Sequence, residues 1–207
     1  MIAIIDYGMG NLRSVQKALE RVGAEAVVTA SPEEVRRARG IVLPGVGAFG
    51  KAMENLRRLG LAEVIADDVR QGKPFLGICL GYQLLFESSE ELFEGEAEEP
   101  TGLGILKGKV CRFPRSLKVP EIGWNQLRIV RETSLFNGVA DGDYAYFLHS
   151  YFPVPEDDSI VAAWTEYGVE FASAISVDTI WAVQFHPEKS SRVGLAILAN
   201  FAEAVGK

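Results

Sequence analysis

The chain has 207 residues, 48% of them hydrophobic and 24% charged, which excludes disorder and fibre and fits one domain whose core needs neither disulfide nor metal. Its net charge of −7 is local: Glu87 to Glu99 holds seven glutamates and no basic residue, and the other 21 acidic residues balance the 21 basic ones. No basic face is left for a phosphate backbone, so nucleic-acid binding is excluded as a first reading.

The two cysteines, Cys79 and Cys111, stand in no metal-binding or disulfide pattern, and a reducing compartment fits them best. No apolar run approaches the roughly 18 residues a membrane span needs. Met1 leads into Ile2, Ala3, Ile4 and Ile5 without a basic n-region or a small-residue cleavage site. The expectation is a cytoplasmic protein with no membrane, metal or cofactor partner.

In chain order, Ile2–Asp6 reads as a strand buried on both faces. Asn11–Val22 follows as a helix with Leu12, Val15, Ala18, Leu19 and Val22 at helical spacing. Glu25–Ala30 is a second strand. Ser31-Pro32-Glu33-Glu34 combines a cap residue, a proline at the first helical position and a glutamate three residues after the cap, which predicts a helix start. Ile41–Leu43 is a third strand ending in Pro44-Gly45-Val46-Gly47, Met53–Arg70 one long helix closed by Gly72 and Pro74, and Phe75–Ile78 a fourth strand. This alternation predicts a mostly parallel central sheet with helices on both faces. Beyond about residue 100 come β-rich runs at Gly104–Phe113, Leu127–Val130, Tyr144–Phe152, Ile160–Glu166, Phe171–Ser176 and Ile180–Phe185, expected to form an antiparallel extension. A last helix is capped near Ser190 or Ser191. No repeat or long linker divides the chain, so residues 1–207 are expected to be a single α/β domain.

Chemistry concentrates at Gly77-Ile78-Cys79-Leu80-Gly81, where a buried strand runs into a helix. Glycines two residues either side of a nucleophile permit the sharp turn of a nucleophile elbow. The helix N-terminus beneath favours a thiolate and supplies backbone N–H groups for an oxyanion. A lone cysteine is more often a small core residue; the paired glycines turn the reading toward catalysis. A thiol nucleophile needs a base, and the chain has only His149 and His186. His186 ends a strand and Glu188 lies two residues on, so in extended backbone both side chains project to one side and Cys79, His186 and Glu188 can form a triad. His149 has no such neighbouring carboxylate and reads as structural or substrate-adjacent, and Cys111 as structural. Gly8-Met9-Gly10 after the first strand fails as a dinucleotide fingerprint, because Arg13 stands at the third glycine position. A cysteine peptidase of related fold is disfavoured because Leu80, not histidine, follows Cys79.

With its Gly77-x-Cys79-x-Gly81-x-Gln83 elbow and distant His186-Pro187-Glu188, the chain resembles the class I (triad) glutamine amidotransferases along nearly its whole length. The resemblance implies a flavodoxin-like glutamine amidotransferase domain that hydrolyses glutamine through a Cys79 thioester, with His186 as base and acid and Glu188 as its orienter. It implies an oxyanion hole from the backbone N–H groups of Leu80 and Val46, with Gly45 and Gly47 beside them. It also assigns Gln83, Ser150 and Tyr151 to the substrate. Glu91 would pair with the substrate's α-ammonium, the alternative being one solvated glutamate among many. Ile5–Leu12, Gly123-Trp124-Asn125 and Leu148–Tyr151 resemble most the members that act as glutaminase subunits of a heterodimer with a (β/α)8-barrel cyclase. They imply an interface at Met9, Asn11, Trp124 and Asn125, with a core tryptophan as the alternative for Trp124.

Overall fold

A computed structural model of the chain describes residues 1–92 and 98–206; Glu94 and Glu96 of the acidic stretch lie outside them. Strand β1 (Ile2–Ile5) leads to helix α1 (Leu12–Arg21), which buries Val15 and Leu19, and to β2 (Ala26–Thr29). Helix α2 (Pro32–Arg37) begins as its sequence predicts: Ser31 Oγ accepts the Glu34 N–H at 3.4 Å and Pro32 opens the first turn. Next comes β3 (Gly40–Gly45).

The single helix expected over Met53–Arg70 is two, α3 (Phe49–Arg58) and α4 (Leu61–Arg70). Between them Gly60 takes φ 66° and its N–H bonds the Arg57 carbonyl at 3.0 Å, ending α3 before the next residue starts α4. Glycine adopts this left-handed conformation cheaply, and apolar periodicity on both sides hides the break.

β4 (Phe75–Cys79) runs directly into α5 (Leu80–Gln83), one turn long rather than an extended helix. The remaining elements are β5 (Ser88–Ser89), β6 (Gly108–Arg112), β7 (Glu121–Gln126), β8 (Arg128–Ile129), β9 (Tyr144–His149), β10 (Tyr151–Pro155), β11 (Val161–Glu166), β12 (Glu170–Val177), β13 (Ile180–Val183) and α6 (Ser191–Val205).

The main sheet has the order β2-β1-β3-β4-β13-β12-β11-β8. Its first five strands are parallel and in flavodoxin-like order; the last three are antiparallel additions. Alternating residues of β1 feed two cores. Ile2 and Ile4 pack with Val15, Leu19, Ile197 and Phe201 of α1 and α6, while Ala3 and Ile5 pack with Val35, Met53, Leu56 and Ile65 of α2, α3 and α4. Burial on both faces is why this strand is a continuous apolar run.

The extension is not one sheet. Its strands lengthen the main sheet and also form β10-β6-β5 and β7-β9. The run expected over Tyr144–Phe152 breaks at Ser150: β9 pairs with β7 and β10 with β6, so the chain turns a corner between two small sheets. β7, where no strand was expected, carries an outward face of Ile122 and Trp124, 62% and 51% exposed.

Candidate active site

Cys79 ends β4 with φ 54° and ψ −108°, a backbone conformation that costs a non-glycine residue about 1–3 kcal/mol and persists only where packing enforces it. Packing here leaves no alternative. A Cβ on Gly81 would lie 1.7 Å from the Leu43 carbonyl oxygen, and one on Gly77 would lie 2.9 Å from the Gly81 oxygen. The turn after β4 therefore presses against its own strand and against β3. In register, Gly45 of β3 lies opposite Cys79. A Cβ on Gly45 would fall 2.3 Å from Tyr7 Oη, so this strand end also admits only glycine. The Tyr7 hydroxyl donates to the Pro44 carbonyl at 3.0 Å, and burial, followed by the neighbouring Cys79, raises its pKa and keeps it a neutral donor.

The buried Cys79 thiol lies 3.8 Å from the Leu148 carbonyl oxygen, and Gln184 Nε2 donates toward the sulfur at 3.7 Å. Gln184 was missed in the sequence. It precedes His186 by two, and the same period-2 argument that paired His186 with Glu188 would have found it.

His186 and Glu188 meet as expected, with Nδ1 and Oε1 2.9 Å apart and both side chains almost fully buried. The local backbone differs. His186 is extended, but Pro187–Lys189 form a 3-10 turn that folds Glu188 back. Ser190 holds this turn: its hydroxyl donates to the His186 carbonyl at 2.7 Å and accepts the Tyr146 N–H at 3.0 Å. Imidazole Nε2 has no oxygen or nitrogen partner among the described residues. Burial pulls the imidazole pKa down, but interaction with Cys79 and Glu188 outweighs it and raises the value to about 10. The arrangement can hold a proton on the imidazole beside the sulfur.

In front of the sulfur lies a cavity of about 250 Å³. Val46, Gly47, Leu80, Gln83, Glu91, Ser150 and Tyr151 line it, as does Pro120, which the sequence did not single out. Leu80 opens α5, where a helix provides no acceptor for its N–H. The Gln83 amide donates to the Tyr151 carbonyl at 2.9 Å and to Gln184 Oε1 at 3.1 Å, so this side chain ties two walls together.

Glu91 faces the cavity and accepts the Phe49 N–H at 2.7 Å. Its neighbours are not simply solvated, as expected for most of the stretch. Glu87 accepts the Gly108 N–H at 3.1 Å, and Glu90 accepts the Arg112 N–H at 3.1 Å and Lys109 Nζ at 2.8 Å. Backbone donors at strand ends need acceptors, and these carboxylates supply them.

His149 corrects another expectation. It has a carboxylate, supplied by Glu121 from the strand alongside: Nε2 and Oε2 are 3.0 Å apart, and both side chains are buried.

Trp124 is exposed rather than core, stacked edge-on with Tyr146 at 6.0 Å. Met9 packs against Gly47, and Asn11 is exposed at the start of α1. Asn125 turns its amide inward, donating to Glu121 Oε1 and the Glu166 carbonyl, each at 2.9 Å. Among the described residues, no group of three His, Cys, Asp or Glu side chains could hold a metal ion, and no helix is long and apolar enough to cross a membrane.

The model of the family "Glutamine amidotransferase class-I" matches residues 3–205. Among similar curated proteins, the imidazole glycerol phosphate synthase subunit HisH of Aquifex aeolicus is 55% identical, covering 96% of this chain and 94% of its own length. The HisH subunit of Geobacter sulfurreducens is 54% identical, covering 98% of each chain. Among solved structures, a glutamine amidotransferase superposes with TM-score 0.76 at 20% identity, covering all of both chains. PurLQS from Thermotoga maritima superposes with TM-score 0.73 at 20% identity, covering 99% of this chain and 96% of the other. At such identities these two speak for the fold alone.

Proposed function

The chain belongs to the class-I glutamine amidotransferase family, and on that premise we propose that it is the glutaminase subunit of an imidazole glycerol phosphate synthase, in histidine biosynthesis. The observation that carries this reading is a strained cysteine at the floor of an amino-acid-sized cavity, with a buried histidine–glutamate pair beside its sulfur.

Cys79, its proton passed to His186, attacks the side-chain amide carbon of glutamine as a thiolate, and the carbonyl oxygen takes up negative charge. The backbone N–H groups of Leu80 and Val46 stabilise that charge, a type of contribution often worth about 3–4 kcal/mol per donor. The imidazolium of His186 gives its proton to the departing nitrogen, releasing ammonia and leaving a γ-glutamyl thioester. His186, now neutral, takes a proton from water, whose oxygen attacks the thioester carbon. Glutamate leaves and the thiol is restored. Glu188 holds the imidazole by its Nδ1 side throughout, so that Nε2 serves the sulfur and the substrate. Gln83, Ser150 and Tyr151 hold the amino acid, and the Glu91 carboxylate faces its α-ammonium.

The partner in this reading is a (β/α)8-barrel cyclase, joined as a heterodimer. There the ammonia splits a phosphorylated ribulosyl aminoimidazole-carboxamide nucleotide into imidazole glycerol phosphate and aminoimidazole carboxamide ribotide. Exposed Ile122, Trp124 and Tyr144 on the β7–β9 face support a docking surface there, with Met9 and Asn11 at its margin. Clustered exposed apolar side chains of this kind mark protein interfaces.

The test is reconstitution with the cyclase subunit. Glutamine-dependent formation of imidazole glycerol phosphate is expected. Cys79→Ala should abolish it and leave ammonia-dependent formation intact. No glutamine-dependent product with an ammonia-competent cyclase would overturn the assignment, and equal loss of both activities in Cys79→Ala would overturn the division of labour.

A further inference from the structure

We propose that Glu121 and His149 are positioning residues for glutamine: a buried pair that fixes the corner between β9 and β10, and through it one wall of the cavity. The role rests on the glutaminase reading and adds to it a second histidine–carboxylate pair, whose His149 is itself part of the cavity wall.

Ser150, at the corner, belongs to neither strand. Across this gap His149 Nδ1 lies 2.8 Å from the carbonyl oxygen of Tyr151, two residues ahead. A carbonyl only accepts, so Nδ1 carries the hydrogen. On the other side of the ring, Nε2 faces Glu121 Oε2 at 3.0 Å. Glu121 and His149 lie directly opposite each other in the β7–β9 register, and Asn125 fixes the second carboxylate oxygen. Phe113, Phe147 and Phe171 surround the imidazole with ring centroids 5.1–5.8 Å away. In so dry an environment, removing one polar partner leaves the other buried and uncompensated, which costs far more than at the surface.

The corner matters because three cavity-lining residues around it depend on it. Leu148 places its carbonyl 3.8 Å from the Cys79 sulfur. The Ser150 carbonyl accepts the Phe113 N–H at 3.1 Å. The Tyr151 carbonyl, bonded by His149, also accepts the Gln83 amide at 2.9 Å. If the imidazole swings away, Tyr151 and Gln83 lose a common anchor, and the substrate wall loosens while the elbow, built from β3 and β4, stays in place.

The experiment measures glutamine KM and kcat of the full chain with its cyclase partner, alongside the rate at which iodoacetamide alkylates Cys79. In Glu121→Leu the KM should rise about tenfold or more, with kcat and alkylation rate within about threefold, as expected when binding rather than chemistry is lost. Glu121→Gln should stay within about threefold of the unmodified protein in KM, because its amide can donate to Nε2 and its oxygen can still accept from Asn125. Where Glu121→Leu does not fold, Asn125→Ala replaces it, with an expected KM rise of about threefold from the loss of one hydrogen bond. A folded variant with unmoved KM, or a Glu121→Gln protein as impaired as Glu121→Leu, overturns the positioning role. An unmodified pair that turns over no glutamine overturns the glutaminase reading itself, and this role with it.

Discussion

Two buried histidine–glutamate pairs lie near the Cys79 cavity and use the same groups in different ways. In His186–Glu188 the carboxylate takes Nδ1 and leaves Nε2 with no oxygen or nitrogen partner among the described residues. In His149–Glu121 the carboxylate lies 3.0 Å from Nε2, a close approach without hydrogen-bond geometry, while Nδ1 is engaged by a backbone carbonyl. The first ring keeps its Nε2 for the sulfur; the second has a carboxylate standing against its Nε2 and a backbone carbonyl at its Nδ1. Burial and a carboxylate neighbour do not by themselves make a catalytic histidine. What sets His186 apart, in the role proposed for it, is its interaction with the Cys79 sulfur.

The largest expected effect separates the two pairs directly. His186→Asn should lower kcat for glutamine by about 10²–10⁴ with KM little changed, since it removes the proton carrier. His149→Asn should act mainly on KM. Steady-state kinetics on both variants checks this, and equal kcat losses would erase the distinction.

Glu188→Gln sharpens it next. With Glu188 and Cys79 holding the His186 imidazolium to about 10, activity should persist into alkaline pH, and the variant's alkaline limb should move down toward the ordinary histidine range. The sign for stability follows from the same shift. A folded-state value above the unfolded one contributes stability that is complete below about 6.5 and is lost as pH rises toward about 10. Melting temperatures of the unmodified protein should therefore fall through that window more steeply than those of Glu188→Gln.

A smaller kinetic effect concerns the charge of Glu91 at the cavity. Glu91→Gln keeps an acceptor for the Phe49 N–H but removes the negative charge proposed to face the substrate ammonium, and should raise glutamine KM by about tenfold. An unchanged KM would make Glu91 a cap for α3 and nothing more.

What could be read from the sequence was what is close in the chain. The elbow spans Gly77 to Gly81, and Glu188 is two residues from His186, so local geometry links them before any tertiary structure is known. The parallel core was legible for the same reason, because strands buried on both faces are continuous apolar runs. Pairings between distant strands were not legible. Nothing near His149 announces Glu121, which reaches it only through the β7–β9 register. Ser150 looked like one more residue of a long strand because a corner between two sheets leaves the apolar alternation intact. Gly60 was passed over because the helices on either side keep the same period. The glutamates looked like solvent-facing charge because their backbone partners, Gly108 and Arg112, lie some twenty residues away.

The steric closure around Gly45, Gly77 and Gly81 also bears on which sequences can carry this activity. At these three positions even a methyl group collides with backbone or with a buried tyrosine, so the interior offers nothing that can yield. In a saturation library selected for growth without histidine, they should return glycine alone. Gly142, with open space around it, should admit asparagine as well. The fold thus records its nucleophile twice, once as the cysteine and once as three places where no side chain is permitted.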